Sequence, residues 1–236
     1  MIALPWATLD FTDPRFRVPD YEVEAWPHVT VPEDGVAIDV GAHQGFYATK
    51  LAREAGEDGT VVVVEPNPDN FRQLRENLRR NDLTGNVIFV ESALSDYWGH
   101  GVMLTYPPEK ASGKHFLRGT DRREAFYQEY VDGTSIRTDA RETAVEVTTL
   151  DRVIGISGLR RLDLVKIDTE GAELRILRGG AHALATLSPN VVLEVHHDML
   201  NEITAYLTTL GYACLATGSM RHSDNPYAVF AKGRRR

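Results

Sequence analysis

An acidic residue and two glycines directly after the first apolar run of this chain could form a ligand-binding loop. The run VAIDV continues as GAHQG, which places Asp39 before Gly41 and Gly45. Glycines let the backbone come close to a ligand, and the carboxylate can pair with a cationic amine. A dinucleotide fingerprint would need glycine where this chain has His43 and Phe46, so that fingerprint is broken twice. A plain strand-to-helix turn explains the motif alone about as well as a ligand does.

The ends of the next two apolar runs carry groups that suit an adenosyl cofactor. Glu65 ends VVVVE, 20 residues after Gly45, where a carboxylate can accept two hydrogen bonds from a ribose diol. Ser92 and Ala93 follow the third run and could frame the edge of an adenine. These positions are compatible with S-adenosylmethionine, whose amine and positively charged sulfur would suit Asp39.

Carboxylates and a histidine end the fourth and fifth apolar runs. Asp168 and Glu170 follow LDLVKI, and helix capping is the alternative role for carboxylates there, which we predict for Glu173. Because side chains alternate along a strand, Glu194 and His196 lie on one face of VVLEVH.

Two chemistries could use these groups. In the first, His196 accepts the proton of an acceptor hydroxyl and is oriented by Glu194 or Glu170. In the second, Mg²⁺ is held by carboxylate oxygens, which it prefers, from Asp168, Glu194 and Glu170. The spacing of the residues leaves both open.

The segments that position these groups alternate between apolar runs and amphipathic stretches. This alternation is typical of a parallel sheet with crossover helices on both faces. The last two runs are joined by a short polar link and predict a closing antiparallel hairpin. The predicted strands are Val36–Val40, Val61–Glu65, Asn86–Glu91, Leu162–Asp168, Asn190–His196, Tyr212–Ala216 and Tyr227–Ala231. Ligands bind beyond the carboxyl ends of such strands, so we expect the polar groups to meet at one edge of the sheet.

Helix signals between the runs support this assignment. Asn67 is a capping residue, and Pro68 suits the first helical position after it. Gly179 and Gly180 predict a left-handed stop after EGAELRILR, and Gly211 ends the last amphipathic stretch.

Two segments interrupt the alternation. Residues 1–35 combine five aromatic residues with five prolines and are predicted to pack over the domain as an arm, whose apolar surface could meet a second subunit. Residues 105–145 form a long insertion with at most one short helix, near 122–130. Its histidine, arginines and tyrosines favour a lid over the substrate, since long loops are usually functional or disordered. Residues 36–236 are therefore expected to form one domain that carries this insertion.

Composition excludes several classes of function. The net charge of −8, spread along the chain, argues against binding to DNA or RNA. Cys214 is the single cysteine, which excludes an intrachain disulfide, and we expect it to be a buried residue of a strand. No run reaches the roughly 18 apolar residues of a membrane helix, and the start lacks a leader pattern. We therefore expect a cytoplasmic protein that does not bind membranes.

Several stretches, in order, resemble one known family. IDVGAHQGFYATKLA, VVVVEPNPDNFRQLREN, ESALSD, VEVTTLDRV and DLVKIDTEGAELRILRGG, followed by VVLEVH, are similar to the FkbM-type S-adenosylmethionine-dependent methyltransferases. The resemblance runs from Val36 to His196, and its most specific element is KIDTEGAELRILRGG. The arm and the insertion are not covered by it.

The resemblance implies a class I methyltransferase fold: a Rossmann-like α/β domain with a seven-stranded, mostly parallel sheet of order 3-2-1-4-5-7-6 and helices on both faces. It also implies O-methylation of a small molecule, often at a sugar or polyketide hydroxyl. By the same resemblance, S-adenosylmethionine is held by Asp39, Gly41, Gly45 and Glu65. His43, which we also expect to contact the cofactor, stands in this loop where family members commonly carry Asn.

A nicotinamide-dependent oxidoreductase is the alternative function. It shares the alternation of strands and helices, and it would use Glu65 in the same way. The broken glycine fingerprint and the closing hairpin count against it.

Overall fold

A computed structural model describes residues 24–105, 115–118, 141–169, 171–195, 197–219 and 226–233 of the chain. Its strands are β1 (Val36–Val40), β2 (Thr60–Val64), β3 (Val87–Val90), β4 (Ala93–Leu94), β5 (Gly99–Thr105), β6 (His115–Leu117), β7 (Arg141–Thr148), β8 (Leu164–Ile167), β9 (Asn190–Glu194), β10 (Tyr212–Ser219) and β11 (Pro226–Lys232). Its helices are α1 (Phe46–Ala55), α2 (Pro68–Arg80), α3 (Leu150–Ile156), α4 (Glu173–Gly179), α5 (Ala181–Thr186) and α6 (His197–Thr209).

Seven of these strands form one large sheet, in the order β10-β11-β9-β8-β1-β2-β3. The five strands from β9 to β3 are parallel, whereas β11 runs antiparallel to both β9 and β10. Counted along the chain among these seven strands, the order is 3-2-1-4-5-7-6. The expected class I fold and its closing hairpin are confirmed, and the carboxyl ends of the parallel strands lie at one edge.

The central strands are buried on both faces of this sheet. All four residues of β8 and the last four residues of both β1 and β2 are buried. An apolar cluster on one face includes Leu51 of α1 and Leu74 of α2. A second cluster on the other face includes Leu177 of α4 and Leu207 of α6, together with residues of α3 and α5. The expectation of helices on both faces is therefore confirmed.

Four further strands form a second sheet, in the order β4-β7-β5-β6. The expectation that residues 105–145 hold at most one short helix is wrong at both ends, because β6 and the first part of β7 lie within them. In β7, Val145 and Val147 are buried while Glu142 and Glu146 are exposed. Such a half-polar strand lacks the continuous apolar run by which the central strands are recognised. The predicted helix near 122–130 lies outside the described residues.

The described end of the N-terminal arm packs against α1. Val29 and Val31 are buried in the cluster on that face, after a 3-10 turn at Trp26–His28. The ring of Trp26 lies 4.9 Å from that of Phe46. The ammonium of Lys50 donates a hydrogen bond to the carbonyl of Val29 and lies over the Trp26 ring. This part of the arm therefore covers the start of α1, and residues 1–23 lie outside the described residues.

Helix ends agree with the sequence at one position and correct it at another. The side chain of Asn67 accepts hydrogen bonds from the backbone N–H groups of Asp69 and Asn70, so the predicted cap is confirmed. The left-handed stop predicted at Gly179 and Gly180 is wrong, since Gly180 has a φ of −112°. These glycines serve close packing instead: a Cβ atom at Gly179 would lie 2.1 Å from the carbonyl oxygen of Ser95.

The environment of Cys214 also differs from expectation. It is exposed, and its neighbour Leu215 is 65% exposed. The reason is that β10 is the outermost strand of the large sheet, where an apolar residue need not be covered. Among the helices that the structure describes, none has the length and hydropathy needed to cross a bilayer.

Two helical glycines give opposite predictions for alanine substitution. We expect Gly179→Ala to lower the free energy of unfolding by about 1–3 kcal/mol, because its Cβ would overlap the carbonyl of Ser95. Gly155→Ala in α3 is the matched control. It has no atom within 4 Å of a new Cβ, and alanine in a helix should raise the free energy of unfolding by about 0.5–1 kcal/mol. Urea denaturation measures both, and equal effects would contradict the packing argument.

Candidate active site

The carboxyl ends of four neighbouring strands converge through backbone hydrogen bonds. The N–H groups of Gly41 and Ala42, just after β1, both donate to the carbonyl of Val64 in β2 at 3.0 Å. The N–H of Asp168, just after β8, donates to the carbonyl of Val40 at 3.1 Å. The N–H of Glu65 donates to the carbonyl of Val90, which brings the end of β3 to the same edge. Backbone hydrogen bonds of the sheet thus hold these strand ends, which carry Asp39, Glu65 and Asp168, at one edge.

Left-handed backbone shapes the loop that follows β1. Gly41, His43 and Gly45 have φ values of 76°, 50° and 95°. At Gly41 a side chain is excluded, because a Cβ atom would lie 1.8 Å from the carbonyl oxygen of Asp168. At Gly45 it would lie 2.8 Å from a methyl carbon of Leu74 in α2. The two glycines therefore let the loop fit between β8 and α2.

The strained conformation of His43 aims its backbone at Glu65. Its N–H donates to Oε2 of Glu65 at 2.9 Å, while the N–H of Asn67 donates to Oε1 at 2.8 Å. Glu65 is 4% exposed, and this burial raises the pKa of its carboxyl to about 7, although the backbone hydrogen bonds lower it. Burial also lowers the pKa of His43, which favours a neutral imidazole. The first loop and the end of β2 are therefore one unit.

Lys166 joins two of the predicted acidic residues. Its ammonium lies 3.2 Å from Oδ1 of Asp39 and 3.5 Å from Oδ2 of Asp168. Asp39 is fully buried, and burial raises the pKa of its carboxyl, whereas the charge of Lys166 lowers it. The side chain of Asp168 keeps 31% of its surface exposed. The carboxylate of Asp168 is therefore accessible from solvent, whereas that of Asp39 is not.

The loop between β8 and α4 is held by Glu173. Its Oε1 atom accepts hydrogen bonds from the N–H of Thr169 at 3.2 Å, from the Thr169 hydroxyl at 3.1 Å and from the N–H of Gly171 at 2.9 Å. Glu173 therefore has a structural role, but not the predicted helix cap, because its partners lie in the loop before α4 and the N-cap residue Ala172 has no side-chain hydrogen bond. Glu170 lies between these contacts in the sequence but outside the described residues.

A row of polar side chains continues across the sheet from Asp168. Side chains alternate along strands, so Lys166 and Asp168 share the α1 face of the sheet with Leu164, and Glu194 shares it with Val192. In the next strand, Tyr227 is the register partner of Glu194.

Lys166 and Tyr227 were not predicted as site residues, and His28 was not either. The imidazole of His28 lies 5.5 Å from the Tyr227 ring. The alternation that placed Glu194 beside His196 would have found Lys166, two residues before Asp168. His28 could not be found in this way, because its position depends on how the arm folds back.

For the other predicted site residues, Ser92, Ala93 and His196, the structure does not test the predicted contacts. Ala93 is buried in β4 and pairs with Val147, while Ser92 before it is half-buried. These positions follow the end of β3, which joins the site through Glu65. His196 lies outside the described residues. Their proposed contacts with a cofactor or substrate stay predictions.

The donor set does not favour the predicted Mg²⁺ site. The ammonium of Lys166 already lies beside Asp168, where it would repel a divalent cation. Within the described ranges, no group of three His, Cys, Asp or Glu residues could hold a metal ion. Asp168 and Glu194 therefore do not form such a site by themselves, and Glu170 lies outside these ranges.

Comparison with known proteins assigns the family. The protein-family model for the methyltransferase FkbM domain matches residues 39–214 of this chain. The chain belongs to the FkbM methyltransferase family. The resemblance found in the sequence is confirmed, and the matched range begins at Asp39 and includes the loop after β1, Glu65 and the Lys166–Glu173 segment.

The chain is similar to two relatives in sequence and to one solved structure in fold. The 31-O-demethyl-FK506 methyltransferase FkbM of Streptomyces tacrolimicus is 31% identical over 194 residues, and the match covers 77% of this chain and 74% of that protein. The hexuronic acid methyltransferase AglP of Haloferax volcanii is 29% identical over 164 residues, with 70% of this chain and 57% of that protein covered. A crystal structure of a methyltransferase FkbM from Methylobacillus flagellatus has a TM-score of 0.55 at 16% identity. That match covers 97% of this chain but 48% of the other, and it shows the fold alone.

The buried carboxyl of Glu65 predicts a pH-dependent stability. Its folded pKa, about 7, lies above its ordinary value of 4.5, so its contribution is full below pH 4.5 and is lost as pH rises through 7. We expect the free energy of unfolding of the wild type, relative to Glu65→Gln, to fall by about 2–3 kcal/mol between pH 5 and pH 8. Chemical denaturation at a series of pH values measures this difference. A difference that does not change with pH would show that Glu65 is not the source.

Proposed function

We propose that this member of the FkbM family transfers a methyl group from S-adenosylmethionine to a hydroxyl of a small molecule, of the sugar or glycosylated natural product class. The observation that carries the proposal is the left-handed loop at 41–45, joined through its backbone to the buried carboxylate of Glu65. One relative is named for 31-O-demethyl-FK506 and another for hexuronic acid. Both names support a small-molecule acceptor.

The residues at the strand ends fit this cofactor. Glu65 sits where a carboxylate can accept hydrogen bonds from the ribose hydroxyls, and Ser92 and Ala93 follow the neighbouring strand on the adenine side. Asp39, Lys166 and Asp168 together carry two negative charges and one positive charge, which leaves one negative charge to attract a cation. The cofactor supplies an activated methyl group on a positively charged sulfur.

The acceptor side of the site is proposed to lie along the row from Asp168 to Tyr227. A carboxylate at Asp168 can orient a hydroxyl of the acceptor, and holding two reactants in line is the largest part of catalysis in such a transfer. His196 is proposed to accept the hydroxyl proton, oriented by Glu194 or Glu170. The aromatic rings of Trp26 and Phe46, both half-buried beside the loop after β1, suit the apolar face of a sugar ring.

The oxidoreductase alternative has less support. The glycine fingerprint that holds a dinucleotide pyrophosphate would need glycine at His43, and His43 instead uses a left-handed backbone to reach Glu65. The family assignment also favours methyl transfer.

Three expectations accompany this proposal and stay predictions. They are that residues 105–145 act as a lid over the acceptor, that the arm at 1–35 packs over the domain or against a second subunit, and that the protein is cytoplasmic. The acidic net charge of −8 supports an acceptor other than nucleic acid.

Calorimetry with S-adenosylhomocysteine and with NADH tests the cofactor. We expect the wild type to bind S-adenosylhomocysteine and not NADH. Gly41→Ala should weaken that binding at least about tenfold, because the new Cβ would push the loop away from Asp168. Gly85→Ala, where a Cβ meets nothing within 4 Å, is the matched control and should bind as the wild type does. If the wild type binds NADH but not S-adenosylhomocysteine, the oxidoreductase would replace the methyltransferase as the proposed function.

A panel of glycosides and uronic acids, incubated with S-adenosylmethionine and followed by mass spectrometry, tests the acceptor class. With an accepted substrate, His196→Ala should lower turnover by about 100-fold or more while the affinity for S-adenosylhomocysteine is unchanged, as expected for loss of a general base. The matched control is His182→Ala on the exposed side of α5, which should keep wild-type turnover. Near-normal turnover of His196→Ala would remove this residue from the mechanism.

A further inference from the structure

Lys166 occupies a central place between the cofactor loop and the acceptor side of the site. It is the register partner of Asp39 on the neighbouring strand, and Asp168 follows two residues later on the same face. Its ammonium lies within 3.2 Å of the first carboxylate and 3.5 Å of the second. The ring of Tyr47, in the first turn of α1, lies 5.0 Å from the same ammonium. The ends of β1 and β8 and the first turn of α1 therefore meet around one positive charge.

Because Lys166 and Asp39 are both buried, the charge of Lys166 is needed to compensate that of Asp39. Lys166 is 6% exposed and Asp39 is 0% exposed, so neither charge is solvated by bulk water. A buried ion is tolerated when an opposite charge lies beside it, and removing one partner leaves the other uncompensated. Asp168 differs, because its side chain is partly exposed and can also contact a ligand.

The Lys166 ammonium occupies the kind of position that a divalent metal ion takes in a hydroxyl-binding site. A divalent cation would collect carboxylates from neighbouring strand ends and hold one of them toward the acceptor. Here an ammonium already does this for Asp39 and Asp168. A second cation on Asp168 would lie close to Lys166 and be repelled by it, which is the reason the donor set does not suit Mg²⁺.

We propose that the ammonium of Lys166 is the resident cation of this site, a positioning residue that ties Asp39 at the end of β1 to Asp168 and takes the place of a divalent metal ion. This inference rests on the proposed methyl transfer and adds to it how the acceptor side is organised. It makes the reaction independent of added metal.

Manganese binding tests the proposal without measuring activity. The loss of free Mn²⁺ signal in electron paramagnetic resonance reports binding to the wild type, to Lys166→Met and to a matched control, Lys50→Met. Lys50 is an equally buried lysine, 8% exposed, whose partners are Glu54 and the carbonyl of Val29. We expect Lys166→Met to bind Mn²⁺ at least about tenfold more tightly than the wild type, because the repelling charge is gone and Asp168 is released. The control should not gain Mn²⁺ affinity, although it too loses a buried ion pair.

A double variant keeps the test decisive if Lys166→Met does not fold. Lys166→Met with Asp39→Asn removes the buried carboxylate as well as its partner, and it leaves Asp168 charged. It should show the same direction of change in Mn²⁺ affinity. If the variant that folds binds Mn²⁺ no more tightly than the wild type does, the inference is overturned.

Turnover of the wild type separates this inference from the proposed function. With an accepted substrate, exhaustive EDTA treatment should leave the rate unchanged. A wild type that binds one Mn²⁺ and loses its activity with EDTA would overturn the role of Lys166 while leaving methyl transfer intact. A wild type that neither binds S-adenosylhomocysteine nor methylates any substrate would overturn methyl transfer, whereas the Mn²⁺ comparison would still report on Lys166.

Discussion

The close approach of β1 and β8 at their carboxyl ends is the constraint on which the site depends. The loop after β1 can pass the carbonyl oxygen of Asp168 because Gly41 has no side chain, and a Cβ atom there would lie 1.8 Å from that oxygen. The same approach brings Lys166 beside Asp39, so a buried ammonium and a buried carboxylate compensate each other. The backbone contact between Gly41 and Asp168 and the ion pair between Lys166 and Asp39 therefore lie together at the carboxyl ends of β1 and β8. A change in either would move both the loop after β1 and the carboxylate of Asp168.

Glu65 shows how the same backbone prepares a polar group for a ligand. Two N–H groups, from His43 and Asn67, hold its carboxylate in one orientation. Since burial alone would favour the protonated carboxyl, these N–H groups offset part of the cost of keeping it charged. A ribose diol would add two further donors to the carboxylate. The left-handed backbone of His43 thus directs its N–H toward Glu65. This hydrogen bond offsets part of the conformational cost of a left-handed residue other than glycine.

The sequence predicted those parts of the molecule in which one local signal dominates. Continuous apolar runs predicted the central strands and the edge at which their carboxyl ends meet. The second sheet was missed because β5 and β7 are half-exposed, so that no apolar run marks them. Alternation alone places Lys166 on the face of Asp168, but its pairing with Asp39 depends on the register of β8 against β1, which is a property of the folded sheet. Gly180 and Cys214 were misread for the same reason, since tight packing at α4 and the edge position of β10 are properties of the whole fold.

The place of β11 in the sheet has a consequence for how the protein acquires its site during synthesis. Although β11 follows β10 in the chain, it lies between β9 and β10 in the sheet and contributes Tyr227 beside Glu194. While the ribosome is still making this segment, β9 has an open edge and the nascent chain cannot complete the sheet. Tyr227 can therefore take its place beside Glu194 only after Pro226–Lys232 has left the exit tunnel.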